Sequence, residues 1–394
     1  MTKGIIGAVI GDIVGSSREF KPVSRFNFKL FTKSSTITDD TVLTAAVAEW
    51  MLDREHIDVI QSLLKWSTEY PNAGYGSSFR RFRSQGSQVT PGSTHNGAPM
   101  RVSSVGYLAS SIGERLTLAR ESAQPSHNSP EAIVAAQATA VAIHLALRGA
   151  SKAEIQDHIE SMFGYNLHRS YDDLRAEIHY YRQLRDMDYE ASHRRIIEAG
   201  TTVQDALIAF LEGDSYEDVI RKAIYLGGDA DTEAAIAGGI AAAYYGVPDH
   251  IIQEALIYIP SDILEVINKV DGTSWQASKL IPPKSSRWSR KDIIICGTTC
   301  DELTGERAFN LIRPSRFRRH FNEGYPIHIV DGDLDEVKDH IFTLRCKCES
   351  DMTLRWHLHE IGLDSGRLTI EEFKELFSWA LELDNVLVTP TLIK

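Results

Sequence analysis

Apolar positions recur at spacings of three and four across much of the first 280 residues, which is the signature of helices with one buried face. The runs 42–52, 131–147, 203–211 and 231–245 are rich in Ala or carry that spacing, and each predicts a helix. Ser129, Pro130 and Glu131 predict the start of the second, with Ser129 as cap and Pro130 in the first turn. In the fourth, Ala234, Ala235, Ala237, Gly238, Gly239, Ala241 and Ala242 leave little side-chain volume. Small residues let helix backbones approach closely, so this helix is expected at the centre. Glycine lowers helix propensity, so two glycines in mid-helix imply a packing reason.

Between these runs lie loops rich in Gly, Ser and Asn, at 71–78 (PNAGYGSS) and 91–101 (PGSTHNGAPMR). Such loops are ordinarily surface connections, but glycine also exposes backbone N–H groups that can cradle a phosphate. The texture changes at 281–291, where paired prolines, serines and basic residues read as a linker. Beyond it, 292–296 (DIIIC), 325–330 (YPIHIV) and 341–346 (IFTLRC) read as strands. Thr369 and Glu372 form a capping box opening a last amphipathic helix that runs to 383. The expectation is a mostly α body, 1–280, and a smaller C-terminal α+β module, 292–394, of unassigned role.

Composition narrows the function classes. The net charge of −12 argues against non-specific binding to nucleic acid or an anionic membrane. Asp12 interrupts the apolar stretch 4–13, and no apolar run is expected to reach the ~18 residues that span a bilayer. A cytoplasmic protein is expected. All four cysteines, Cys296, Cys300, Cys346 and Cys348, fall in the last third, so the body is not a disulfide scaffold. Their spacings differ from those of common zinc modules, and reduced, buried thiols are the favoured reading over a zinc site. Arg313, Arg316, Arg318 and Arg319 read as a solvated basic face, with a part in choosing a macromolecular target as the alternative.

The chemistry concentrates in two acidic clusters, Thr38-Asp39-Asp40-Thr41 and Gly227-Gly228-Asp229-Ala230-Asp231-Thr232. Each precedes a predicted helix, so capping is the plain explanation for either one alone. A cap uses one side-chain oxygen, whereas each cluster offers at least three. Four carboxylates brought together repel strongly unless cations hold them. Oxygen-only ligands suit Mg²⁺, Mn²⁺ or Ca²⁺ and not zinc. The pair therefore predicts a two-metal site that activates water.

In order along the chain stand Gly-Asp-Ile-Val-Gly at 11–15, TDDT at 38–41, NGAPMRV at 96–102, SHNSPEA at 126–132 and GGDADTEAAIAGG at 227–239. Over roughly 4–250 this resembles the ADP-ribosylglycohydrolases, and TDDT paired with GGDxDT is the specific part. The resemblance implies an orthogonal helical bundle with two Mg²⁺ or Mn²⁺ ions that releases ADP-ribose from a modified protein or other macromolecule. Carried over, Thr38, Asp39, Asp40, Asp229, Asp231 and Thr232 are the implied metal ligands. Glu19, Asp40 and Asp231 are the implied catalytic carboxylates, with Glu19 matching the family's glutamate near the metals. Gly92, Ser93 and Asn96 match a loop for diphosphate and ribose, His127 matches a ligand-facing histidine, and Gly74 and Gly76 fit the same cleft.

The chain also departs from the family. Thr94 stands where some relatives have an aromatic residue, and 198–203 (EAGTTV) replaces a Cys-Gln-Gly-Ser-Val-Pro segment common in bacterial relatives. Two other readings stay open at this point, a non-catalytic ADP-ribose binder and a two-metal phosphoesterase.

Overall fold

The computed structural model describes residues 1–19, 22–86 and 92–276, together with the backbone of 293–296 and 327–330. Fifteen α-helices are present among the described residues. In chain order they are α1 (Ile6–Ser16), α2 (Asp39–Leu52), α3 (Val59–Glu69), α4 (Ser77–Gln85), α5 (Ser103–Leu108), α6 (Ile112–Ala123), α7 (Pro130–Leu147) and α8 (Lys152–Phe163). There follow α9 (Tyr171–Gln183), α10 (Tyr189–Ile197), α11 (Ala199–Glu212), α12 (Tyr216–Leu226), α13 (Ala230–Tyr245), α14 (Asp249–Ala255) and α15 (Ser261–Asp271).

The four predicted helices form, with displaced starts. The first begins at Asp39, because Thr38 is its N-cap and accepts from the Asp40 N–H while Asp39 and Asp40 fill its first turn. Ser129 caps α7 through the Ala132 N–H, with Pro130 at the first position. α7 also corrects an expectation. Its 18 residues have the length and mean hydropathy (1.4) of a membrane span, although no unbroken apolar run is that long. Gln137, Thr139 and His144 interrupt the run without lowering the average enough. Most of the helix is buried inside the helical body, against α5, α6, α11 and α13.

α13 packs against α1, α7, α11 and α12. α1 is buried along its whole length, as befits a helix apolar on every side but for Asp12 and Ser16. The two helices run antiparallel in close contact. A Cβ added at Gly7 would meet Ala242 Cβ at 2.2 Å, at Gly11 the Ala234 carbonyl oxygen at 2.0 Å, and at Gly15 the Ala230 carbonyl oxygen at 2.3 Å. Gly238, expected to have a packing reason, lies over the Gly7 carbonyl in the same seam, and the Tyr216 hydroxyl donates to that carbonyl at 2.8 Å. Gly239 would meet its neighbours only at ordinary contact distance.

No side chain of its own caps α1. Asp271, at the end of α15, supplies the cap instead. Its carboxylate accepts from the Ile5 and Ile6 N–H groups at 2.8 and 3.1 Å. The last helix of the body thereby fixes the start of the first.

The chain divides into two units, Met1–Ser286 and Arg287–Lys394. In the second, β1 (Ile293–Cys296) pairs in parallel with β2 (Ile327–Val330), Ile293 opposite Ile327. Both lie inside the strand runs expected from sequence. The linker 281–291, the expected strand 341–346, the capping box and its helix, the arginine run, and Cys300, Cys346 and Cys348 lie outside the described residues.

The glycine seam yields a direct test. Gly11→Ala places a methyl group against backbone atoms that cannot swing aside, so it should destabilise the fold by about 3 kcal/mol or more. Equilibrium denaturation of wild type and variant measures this, and an unchanged midpoint would contradict the seam.

Candidate metal centre and binding cleft

α1, α2 and α13 each bring a carboxylate to one place. Asp12 stands on α1, Asp40 in the first turn of α2, and Asp231 in the first turn of α13. All three are buried, and each offers an oxygen within 4.8 Å of the other two. Glu19, Asp229 and Asp231 form a second group by the same measure, so Asp231 belongs to both.

Asp12 was not among the residues singled out as ligands, although its Gly-Asp-x-x-Gly setting was. It receives the N-terminal end of α2: the Thr38 and Thr41 N–H groups at 2.8 and 3.2 Å, and the Thr38 and Thr41 hydroxyls at 2.7 and 2.5 Å. A helix N-terminus leaves N–H groups without partners and carries partial positive charge, both of which an anion satisfies. The sequence signals were the Gly-Asp-x-x-Gly motif and an acidic residue within an otherwise apolar stretch.

Thr38 lies fully buried beneath the cleft. Its one hydroxyl hydrogen serves the shorter contact, with Asp12, over that with Asp40 at 3.1 Å. Lone pairs are left for the Asp40 N–H at 3.2 Å and for a cation. Asp229 occupies the N-cap position of α13 but makes no side-chain cap bond. Its carboxylate instead accepts from the Asn96 amide at 2.8 Å. Capping therefore does not account for the second cluster.

Arg182 lends some positive charge to Asp229, but no ion pair reaches Asp12 or Asp40 among the described residues, and burial disfavours the charged form of all three. Burial, then Asp231, pushes Asp12 up to about 6 against its hydrogen bonds. Burial first, then Asp231, Asp12, Asp39 and Asp229, holds Asp40 well above the usual range, and burial and Asp231 do the same to Asp229. The Asp40 Oδ1 atom is buried without a hydrogen-bond partner. Orphaned oxygens and crowded carboxylates fit hard divalent cations, which supply the missing charge.

The centre forms one side of a cleft of about 690 Å³, counting the part open to solvent. Of the residues expected in the site, Glu19, Asp39, Asp40, Gly74, Gly76, Ser93, Asn96, His127, Asp229, Asp231 and Thr232 line it. Two expected residues do not. Thr38 is underneath, and Gly92 pairs by backbone with His127 to one side. Leu43, Ser78, Phe79, His95, Gly97, Met100 and Ile197 complete the lining and were not foreseen. Gly74 has φ +106°, a conformation that L side chains rarely adopt, and Gly76 opens α4.

The loop expected to grip diphosphate is strapped from behind. Asn96 N–H donates to the Ile197 carbonyl and Ala199 N–H to that of Thr94, both at 2.9 Å. The Asn96 amide also reaches the Thr202 hydroxyl at 3.2 Å. The departing segment 198–203 thus supports the loop at the junction of α10 and α11. Asn96 itself serves a carboxylate ligand as well as the cleft, which its place in a loop did not reveal.

His127 is buried over Gly97, where a Cβ would meet its ring at 2.6 Å. Arg101 donates to the Ser126 hydroxyl at 2.8 Å, and Ser126 Oγ lies 2.8 Å from His127 Nδ1. The serine hydrogen finds its acceptor at Nδ1, which assigns the single ring N–H of neutral His127 to Nε2. Burial, with Arg101 and His95 adding, holds His127 well below the usual imidazole value, so it is neutral at pH 7.

Because the folded, metal-free carboxylates hold protons that cations must displace, Mg²⁺ affinity should rise as pH goes from 5 to 7, with proton release on binding. The same sign governs stability. A carboxyl raised to about 6 binds its proton more tightly folded than unfolded. The metal-free fold therefore loses stability as pH rises from ~4 to ~6, and Mg²⁺ restores more at pH 7 than at pH 5. Calorimetric titrations and melts at the two pH values check both statements. Asn96→Ala should weaken metal binding ~10–100-fold while the fold persists.

Comparison with known proteins follows this geometry. Residues 1–277 match the ADP-ribosylglycohydrolase family. ADP-ribosylhydrolase ARH3 of Homo sapiens is 28% identical over 326 residues, covering 66% of this chain and 90% of that protein. ADP-ribosylarginine hydrolase Tri1 of Pseudomonas putida is 26% identical over 275 residues, covering 62% and 70%. ADP-ribosyl-[dinitrogen reductase] glycohydrolase of Rhodospirillum rubrum is 24% identical over 271 residues, covering 62% and 85%. A solved structure titled ADP-ribosylglycohydrolase-related protein complex covers 69% of this chain and 96% of its own, at 23% identity and a TM-score of 0.46.

Proposed function

This chain belongs to the ADP-ribosylglycohydrolase family, and we propose from that premise that it removes ADP-ribose from a modified protein by hydrolysis at a centre for two Mg²⁺ or Mn²⁺ ions. Membership makes it a glycosidic-bond hydrolase, and relatives named for ADP-ribosylarginine and ADP-ribosyl-dinitrogen reductase support a modified protein as substrate. The single observation that carries the two-ion reading is Asp231, shared by two carboxylate groups on the side of one glycine-lined cleft.

Asp12, Asp40 and Asp231, with Thr38 beneath, would hold one ion, and Asp229 and Asp231 the other, with Asp39 and Thr232 at the edge and Glu19 alongside. When bound, such ions lower the pKa of water and grip the ribose hydroxyls. The chain's own groups do the rest. The first turn of α4, with Ser78 and Phe79 in the lining, leaves N–H groups without intrahelical partners beside Gly74 and Gly76. These suit the diphosphate. Neutral His127 offers its Nε2–H as a donor that adds no charge. Glu19 accepts a proton from the attacking water as its oxygen bonds to C1″, and passes it to the departing group as the bond from C1″ to the acceptor atom breaks. A glutamate near the anomeric carbon also favours the positive charge that builds on the ribose.

Product analysis tests the reading. Incubating the full chain and Mg²⁺ with an ADP-ribosylated protein should release intact ADP-ribose, whereas AMP or phosphate would indicate a phosphoesterase. EDTA should abolish turnover, Mg²⁺ or Mn²⁺ should restore it, and zinc should not. Glu19→Gln should lower kcat by ~100-fold or more with KM changed little, the mark of a group acting mainly in the transition state. A parallel rise in KM would make Glu19 a ground-state contact.

A further inference from the structure

α9 carries a row of donors at helical spacing, and all of them face the end of α12. The Tyr171 hydroxyl donates to the Lys222 carbonyl at 2.7 Å, and Arg175 Nε to the Tyr225 carbonyl at 3.0 Å. Arg182 Nε donates to the Gly227 carbonyl and Arg182 Nη2 to that of Gly228. A helix C-terminus leaves carbonyls without partners and carries partial negative charge, so cationic donors belong there. That much is stabilisation of α12.

Arg182 does something the other two do not. Its Nη2 also donates to the Glu19 carbonyl at 3.0 Å. Gly227 and Gly228 immediately precede Asp229, and Glu19, Asp229 and Asp231 bring their carboxylates together. One guanidinium therefore holds the backbone on both sides of the second carboxylate group, segments more than 200 residues apart in sequence. Its planar fork suits several carbonyls at once, which a lysine ammonium on a flexible stem does not reproduce.

We infer that Arg182 is a positioning residue, which sets the place of Glu19 relative to Asp229 and Asp231 by bridging their two backbone segments. The inference rests on the role given to Glu19 above. Without the bridge, Glu19 samples a wider range of positions, and a displacement of ~1 Å in a reacting group costs ~100-fold in rate. Substrate binding elsewhere in the cleft is untouched, so the loss falls on kcat.

Hydrogen exchange measured by mass spectrometry on the full chain, without metal or substrate, reads the bridge independently of activity. Arg182→Ala should raise exchange several-fold both in peptides containing Ser17–Glu19 and in those containing Gly227–Asp229. Arg175→Ala, which loses a bond to α12 alone, should leave the Ser17–Glu19 peptides as in wild type. In turnover of an ADP-ribosylated protein, Arg182→Ala should lose ~10–100-fold in kcat with KM within about threefold. Arg182→Lys should recover part of both effects, and it serves the same comparison if the alanine variant does not fold. Unchanged exchange at Ser17–Glu19 in either variant, equal changes in Arg175→Ala, or full kcat in Arg182→Lys would overturn the assignment. Because exchange needs no substrate, a chain inactive on ADP-ribosylated protein would overturn the functional reading while leaving the bridge itself measurable.

Discussion

The close approach of α1 and α13 is the constraint on which the rest depends. Gly7, Gly11 and Gly15 on one helix meet Ala242, Ala234 and Ala230 on the other with no space for a methyl group. Interiors are close-packed, so a gap opened here would propagate and not be absorbed. The seam is what places Asp12 beside Asp231, one on each helix, within reach of a shared cation. α2 then docks by its N-terminus onto Asp12, and that contact delivers Asp40 and Thr38. Asp271 holds the start of α1 from the far end of the body, so even the last helix bears on the position of Asp12.

Packing of this kind opposes electrostatics. Burying Asp12, Asp40, Asp229 and Asp231 in one place is unfavourable while they are charged and close. The fold offers partial answers: helix N–H groups on Asp12 and the Asn96 amide on Asp229. It leaves Asp40 Oδ1 with nothing. Divalent cations would resolve the conflict, and the protons held in their absence would be its measurable trace. Asp205, also buried, has a cationic partner. Arg195 lies in a bidentate contact with Asp205, at 2.8 and 3.2 Å. Asp12, Asp40 and Asp231 have no such ion pair among the described residues, and their clustered oxygens could hold a metal ion.

The acidic clusters were legible because their chemistry sits in contiguous stretches, Thr38–Asp40 and Asp229–Thr232. A role beyond capping was legible because oxygen count outran what capping needs. Helix starts were misjudged where polar residues open the helix, as at Asp39, since a carboxylate in the first turn reads as loop. α1 was not read as a helix at all, because Gly7, Gly11 and Gly15 conceal its periodicity, and their role appears only beside α13. Asp12 and Asn96 were placed incompletely for a common reason. Their partners lie 26 and 133 residues away, at Thr38 and Asp229. No local pattern encodes such a pairing. Arg182 was invisible for the same cause, its three acceptors being backbone atoms that any residue type supplies.

The central claim is that Asp231 is shared between two cations. Titration of the metal-free chain with Mn²⁺, followed by electron paramagnetic resonance, tests it most directly. The account predicts two manganese ions per chain with exchange coupling between them, and loss of that coupling in Asp231→Ala. A single ion, or two ions without coupling in the wild-type chain, would contradict it.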